Sequence, residues 1–164
     1  MTTVTNAPAA PVLKTITVKT SVERAFHVFT VGFDSWWPRS HSISQSPMEK
    51  ALIETFVGGR CYQRSVDGSE CDWGRVIVWE PPHRFVLAWQ LNADWQYDPD
   101  MAKASEVEVR FTPEPGGRTR VDLEHRHFER HGARGIDIRT SVDSPGGWGG
   151  LLEMFRDVAD RSGE

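Results

Sequence analysis

The stretch Ser105–Phe128, SEVEVRFTPEPGGRTRVDLEHRHF, decides the fold. Before its Gly116-Gly117 turn, Val107, Val109 and Phe111 alternate with Glu106, Glu108 and Arg110. After the turn, Val121 and Leu123 alternate with Arg120, Asp122 and Glu124. A period of two places successive side chains on opposite faces, so these are two antiparallel strands of a sheet with one dry face and one wet face. Continuing the odd-numbered register carries Thr119, His125 and His127 onto the dry face beside Val121 and Leu123. Two imidazoles on one sheet face suit either a metal or a pocket wall, and their spacing alone does not choose.

Upstream of this hairpin, from Ala51 onward, the same grammar repeats. ALIETFV, RCYQRSV, WGRVIVWE and RFVLAWQL are strand-like runs separated by Gly58-Gly59, Asp67-Gly68 and Pro81-Pro82. Connections this short join antiparallel neighbours. The longer loop Asn92–Lys103, which carries Asp94, Asp98 and Asp100, is either a solvated excursion or a lid. Farther upstream, Leu13 to Val18 alternates as a strand and leads to Ser21, a suitable helix cap. Val22, Phe26, Phe29 and Phe33 then recur at helical spacing, with Ala25 widening the stripe, which predicts a helix up to Phe33.

Downstream, Glu129 to Asp143 reads as a second long, arginine-rich connection, able to flank the same opening as the Asn92–Lys103 loop. Ser144 and Pro145 then open a final helix that closes at Gly163. Its stripe of Trp148, Leu151, Leu152, Phe155, Val158 and Ala159 must be buried, and the dry sheet face is the large apolar surface that remains. Gly146, Gly147, Gly149 and Gly150 each disfavour a helix interior by up to about 1 kcal/mol, so the first turn is loose or shaped for close approach to the backbone.

The chain has 164 residues, 38% of them hydrophobic and 26% charged, enough for one core without staples. The expected organisation is a flexible tail over 1–11 and a single domain over 12–162. No apolar run approaches the roughly 20 residues of a membrane span, and the start carries no secretory pattern, so the expected location is the cytoplasm, without membrane insertion. A net charge of −4 provides no cationic field for nucleic acid. Cys61 and Cys71 flank a turn out of register with one another, so free thiols are expected. Phosphate-binding and dinucleotide glycine motifs and nucleophile motifs are absent, and no cofactor is implied. A metal would need ligands beyond His125 and His127, and Glu54, His27 and His41 have no spacing that forces them to converge, so no metal is expected.

The order of elements resembles the helix-grip domains of the START-like (SRPBCC) superfamily. Within it the chain looks like the homologues of the activator of heat-shock protein 90 ATPase. The likeness is carried by Ser21–Phe33 running into Trp36-Trp37, by Val57-Gly58-Gly59, and by Gly74-Arg75-Val76 with Glu80-Pro81-Pro82-His83-Arg84. Trp89, the run Gly116–Val121 and Gly147-Trp148 complete it, so that it spans Leu13 to Ala159. The resemblance implies an α+β fold: a curved antiparallel sheet of about six strands wrapped around a long C-terminal helix, with short helices after the first strand. It also implies a cavity between sheet and helix that holds apolar molecules in relatives. The co-chaperone activity in the family's name belongs to a two-domain protein, and the stretch before Leu13 is too short to supply that second domain.

On this frame Trp36, Trp37, Trp89, Trp95 and Trp148, with Phe29 and Leu152 from the helices, are the candidate ligand wall. The competing reading has each tryptophan simply filling a wide sheet; Trp73 and Trp79 are assigned that structural role. His125 and His127 are placed at the polar end of the cavity, orienting a ligand oxygen; otherwise they are hydrogen-bonded core residues. His131 is expected in solvent. Glu54 either turns inward as an acid or base beside Leu52 and Phe56, or is a solvated charge. The leading expectation is binding of a small hydrophobic or aromatic ligand. The alternatives are a cyclase- or hydrolase-like enzyme using His125, His127 and Glu54, and a chaperone-docking module. A homodimer is left open.

Overall fold

The structure is a computed structural model that describes residues 10–161. Most of the expected tail and the expected helix end at Gly163 lie outside the described residues. Seven antiparallel strands form one sheet in the order β1-β7-β6-β5-β4-β3-β2: β1 Val12–Val18, β2 Met48–Ile53, β3 Arg60–Ser65, β4 Glu70–Glu80, β5 Arg84–Trp89, β6 Ser105–Glu114 and β7 Arg118–Arg126. The six meander strands are joined by β1, which pairs with β7, so the chain must cross from one sheet edge to the other between β1 and β2. It crosses through α1 Val22–Phe29 and 3-10 turns at Phe33–Ser35 and Arg39–His41. The final helix, Trp148–Arg161, is α3; a shorter α2, Gly135–Val142, precedes it.

The sheet curves because its ladders are interrupted. Register shifts between Met48 and Lys50, Cys61 and Tyr62, and Val76 and Val78 bend the strands at one end. Gly74 permits a close approach between paired strands: a Cβ there would sit 2.3 Å from the carbonyl oxygen of Ala88. Cys61 and Cys71 are free, Cys71 lying opposite Gln63 rather than Cys61. Burial pushes the Cys61 thiol up, which leaves it a small core residue.

The concavity is filled mostly by aromatic rings. Phe29 of α1 lies 4.9 Å from Phe155 of α3 and 4.8 Å from Trp36, with ring planes inclined. Phe26 meets Phe85 and Phe111 edge-on from the same helix. Inclined ring pairs at these separations add to the burial energy itself. The Trp36 indole N–H donates to the Val28 carbonyl, so its polar atom is satisfied inside the core.

Several boundaries differ from the sequence reading for local reasons. Helix α1 ends at Phe29 rather than Phe33, because the Thr30 hydroxyl bonds back to the Phe26 carbonyl at 2.7 Å. Strand β2 ends at Ile53, because the Glu54 carboxylate accepts from the Arg60 N–H at 2.8 Å and folds residues 54–59 into a turn. The connection after β7 contains a 3-10 segment, Phe128–Arg134, and then α2. That helix buries only Gly135, Ile138 and Val142 and starts without a side-chain cap, so it leaves almost no periodic signal.

On the convex face, Glu108 is 3% exposed and surrounded by arginines: Arg84 at 2.6 Å, Arg110 at 2.5 Å, and Arg126. Burial alone would raise its carboxyl, but the hydrogen bonds from Arg110, Arg126 and Arg84 outweigh it and hold the group at about 2. The pKa is depressed in the folded state, so the stabilisation is present above the ordinary carboxylate range and disappears as pH falls from about 4.5 to about 2. Glu108→Gln is expected to lower unfolding free energy at pH 7 by on the order of 3 kcal/mol, and to flatten the stability profile across that acid window. Urea unfolding of both proteins at pH 7, 4 and 3 checks this; equal stabilities at pH 7 would contradict it.

Candidate functional site

Packing fails at one end of α3. There the sheet, the start of α3 and three connections enclose an open cleft of about 660 Å³, floored by Trp37, Trp89, Leu91, Trp148 and Leu151. The rings form a continuous wall: Trp89 to Trp148 is 5.9 Å between centroids, Trp37 to Trp148 is 6.2 Å, and Trp89 to Trp95 is 6.3 Å.

Each wall is held by its own polar scaffold. Residues 40–45 form one side, bracketed by Gln63 of β3, which is 2% exposed. The Gln63 carbonyl oxygen accepts from the Ile43 N–H at 2.8 Å, while its amide donates to the Ser42 and Ser65 hydroxyls, each at 2.9 Å. A buried amide with both ends satisfied is a rigid bracket. The opposite side is the loop after β5. Asn92 Oδ1 accepts from the N–H groups of Asp94 and Gln96, and Arg134 pairs with Asp94 at 2.8 Å. This turn holds Trp95 at φ 62°, a left-handed conformation uncommon for a bulky residue, with the ring 43% exposed at the mouth. The third side is residues 144–147, before α3. Across the mouth, His41 Nε2 lies 3.0 Å from the Gly146 carbonyl; a carbonyl only accepts, so Nε2 carries the proton.

Trp148 is fixed from behind. Its indole N–H, which can only donate, lies 3.0 Å from His125 Nδ1, so Nδ1 is the bare nitrogen and Nε2 carries the proton. Nε2 therefore donates to the Ser105 hydroxyl at 2.8 Å, and that hydroxyl donates onward to His131 Nε2 at 2.7 Å. The Ser105 backbone N–H also points at His131 Nε2, which marks that nitrogen as an acceptor. The chain Trp148–His125–Ser105–His131 thus has one self-consistent set of protons. Burial lowers the pKa of both histidines, His125 most strongly, and keeps them neutral.

The structure brings Trp37, Trp89, Trp95 and Trp148 together around the cleft and separates the other candidates from it. Phe29, Trp36 and Leu152 lie in the solid aromatic core, because α1 and α3 approach closely enough there to leave no space. His125 is on the dry face but wholly buried behind Trp148, with both nitrogens engaged. His127 is not on the dry face. Strand β7 ends at Arg126, His127 reverses the chain at φ 68°, and its ring lies 41% exposed, 3.4 Å from Glu129. His131 is half-buried, drawn in by Ser105, rather than solvated. Glu54 is a turn residue, with Phe56 and Val57 beside it exposed. Unforeseen cleft residues are His41 and Ile43; Gln96 lies on the Asn92–Lys103 loop, and Ser141 and Val142, at the end of α2, lie on the 129–143 connection. Polar runs such as RSHSISQSP show a loop but not which cavity it will line. Among the described residues no cluster of three or more His, Cys, Asp or Glu is arranged to hold a metal, and no helix is long and apolar enough to cross a membrane.

A curled antiparallel sheet gripping a C-terminal helix, with an aromatic cleft at one end of that helix, defines a START-like helix-grip protein. The chain belongs to the family of Activator of Hsp90 ATPase homolog 1-like proteins, whose model matches residues 19–159. Among solved structures it is similar to an anthrahydroquino-gamma-pyrone synthase, Txn09, complexed with SUM: 40% identity over 92% of this chain and 97% of that one, TM-score 0.65. It is also similar to CalC from Micromonospora echinospora, a self-sacrificing resistance protein, at 32% identity over 94% and 96% of the two chains, TM-score 0.70. An AHSA1-like protein from Aeromonas hydrophila shares the fold at 19% identity over 93% and 94% of the two chains, TM-score 0.56. No curated protein sequence matches the chain.

The buried imidazoles make stability depend on pH. Protonation is disfavoured only in the folded state, so below about pH 6.5 the unfolded chain binds more protons and stability falls. Above that value the effect is absent. His125→Asn is expected to reduce the slope between pH 6.5 and 5 by about 1.4 kcal/mol per pH unit at most, the share of one histidine. Thermal or urea unfolding in that range measures it, and an unchanged slope would contradict the buried, neutral state.

Proposed function

We propose that this protein binds a flat, polycyclic aromatic ligand of polyketide type in the cleft formed by Trp37, Trp89, Trp95 and Trp148. The observation that carries the reading is the contrast between a densely packed aromatic interior and one open cleft of about 660 Å³, walled by indoles, at the start of α3. That volume lies within the usual range for small-molecule sites, as does the combination of an apolar floor with a few polar groups. The Gln63 and Asn92 brackets are satisfied internally, while the buried Trp89 indole N–H has no partner, so affinity would come mainly from ring stacking and shape. The similarity to an anthrahydroquino-gamma-pyrone synthase supports a ligand of fused rings.

A second reading, ring-forming catalysis, is favoured by the same similarity, because that relative is a synthase and shares 40% identity over 92% of this chain. The titratable groups lining the cleft are His41 and Asp94, with Asp94 engaged by Arg134. Under this reading His41 is the proton-transfer group and His125 a positioning residue. Glu54 and His127 lie outside the cleft lining and take no part.

Titration with alizarin, a hydroxyanthraquinone, followed by tryptophan fluorescence tests the binding reading. Saturable quenching is expected, and Trp95→Ala, which removes an exposed ring from the mouth, is expected to weaken affinity by roughly tenfold. Quenching that does not saturate, or equal affinity in the variant, would sink it. Native mass spectrometry of the protein from its own host then distinguishes the two readings through His41→Gln. An unaltered co-purifying compound in both proteins supports binding, whereas a cyclised product with the wild type and its acyclic precursor with the variant supports catalysis.

A further inference from the structure

We propose that Gly146 is the specificity-determining position of the cleft: its missing side chain leaves a slot at the mouth, against the backbone, that admits a ligand three fused rings wide. The inference rests on the binding reading above and adds to it the shape of the ligand.

The region 146–150 contains four glycines, and the fold explains two of them. A Cβ on Gly147 would lie 2.1 Å from the Val142 carbonyl oxygen, and one on Gly150 would lie 2.5 Å from that of Pro145. Neither position tolerates a side chain, because the turn from α2 into α3 packs backbone on backbone. Gly146 is different. A Cβ there meets no atom within 4 Å, and its φ lies outside the left-handed range that favours glycine; Gly149 shares both properties, but of the two only Gly146 lines the cleft. Both packing and backbone conformation would accept an L residue, and glycine at such a position is a conformational disadvantage. The fold therefore gives no reason for glycine at 146.

Its location does. Gly146 lines the cleft, and its carbonyl accepts from His41 on the opposite wall. This hydrogen bond fixes the distance between the two sides of the mouth at that point, so the opening cannot widen freely to make room for a side chain and a ligand together. The neighbouring wall is the Trp148 ring, itself immobilised through His125. A rigid indole, a clasped backbone and an absent Cβ make a narrow slot whose width is set by one residue, and the occupant that needs such a slot is a planar ring system longer than a single aromatic group.

Gly146→Val and Gly146→Ala test this with alizarin as the three-ring probe and naphthol as the two-ring probe, read by tryptophan fluorescence. Both variants are expected to melt at or above the wild-type temperature. Gly146→Val is expected to weaken alizarin by about tenfold or more while changing naphthol by less than about twofold, with Gly146→Ala between. Wild-type affinity for alizarin in both variants would overturn the proposal and leave the cleft reading intact. Equal weakening of both probes would also overturn it, because the substitution would then have deformed the cleft rather than narrowed it. Absence of saturable binding to either probe by the wild type would overturn the cleft reading and this inference with it.

Discussion

A curved sheet of seven strands encloses more volume than one helix can occupy, and this mismatch governs the molecule. The space is filled by importing rings: Phe26, Phe29 and Phe33 from the crossing segment, Phe85 and Phe111 from the sheet, and Phe155 from the terminal helix. Close packing of this kind is the normal condition of protein interiors, and it excludes ligands from the middle of the grip. Where α3 begins, the supply of rings falls short of the space. Gly146 and Gly147 stand where the chain enters the helix, and the connections flanking it line the opening. The cleft is therefore the remainder of a packing problem solved everywhere else, which is why it sits at the end of the helix and not along its length.

A cleft left over in this way would tend to collapse if its walls were free to move. Three polar devices prevent that, each satisfied within itself. Gln63 holds the serine-rich wall, Asn92 with the Arg134–Asp94 pair holds the opposite turn, and the chain from Trp148 through His125 and Ser105 to His131 anchors the floor. The last of these is the most constrained. Trp148 can only donate and the backbone N–H of Ser105 can only donate, so the proton on every intervening nitrogen and oxygen is dictated from the two ends. Protonating either histidine would place two donors face to face in a buried site. The histidine of the sequence pattern thus supports the cleft wall from behind instead of lining it.

How much of this could be read from the chain follows from which physical signals are periodic. The strands β6 and β7, with one wet face, announce themselves through alternation, and that register correctly carries His125 to the dry side. It fails two residues later, because the reversal at His127 is a left-handed backbone in a residue other than glycine, and no sequence pattern marks it. Helix α2 was invisible for a related reason: two buried aliphatic residues and a glycine over eight positions make no stripe. The four tryptophans of the cleft were legible through the family likeness, but Phe29, Trp36 and Leu152 could not be separated from them. Whether a ring fills the core or faces a cavity depends on helix-to-sheet distance, which composition does not encode. Glu54 and Gln63 illustrate the same limit for polar groups, since each acts through a contact with a loop whose path is set by tertiary structure.

The rigidity of the walls also determines what kind of selectivity such a site can have. Hydrogen-bonding groups that already serve the scaffold discriminate weakly among ligand oxygens, because recruiting them would mean breaking a bracket. Under the binding reading proposed above, shape would discriminate instead: fixed indole planes would favour flat, apolar rings over thick or branched ones, and the clasp between His41 and Gly146 would limit how far the mouth yields. Substitutions at Trp36 or Phe155 would then be felt as stability, and substitutions at Trp95 as recognition, even though all three are aromatic and all belong to the same continuous network of rings.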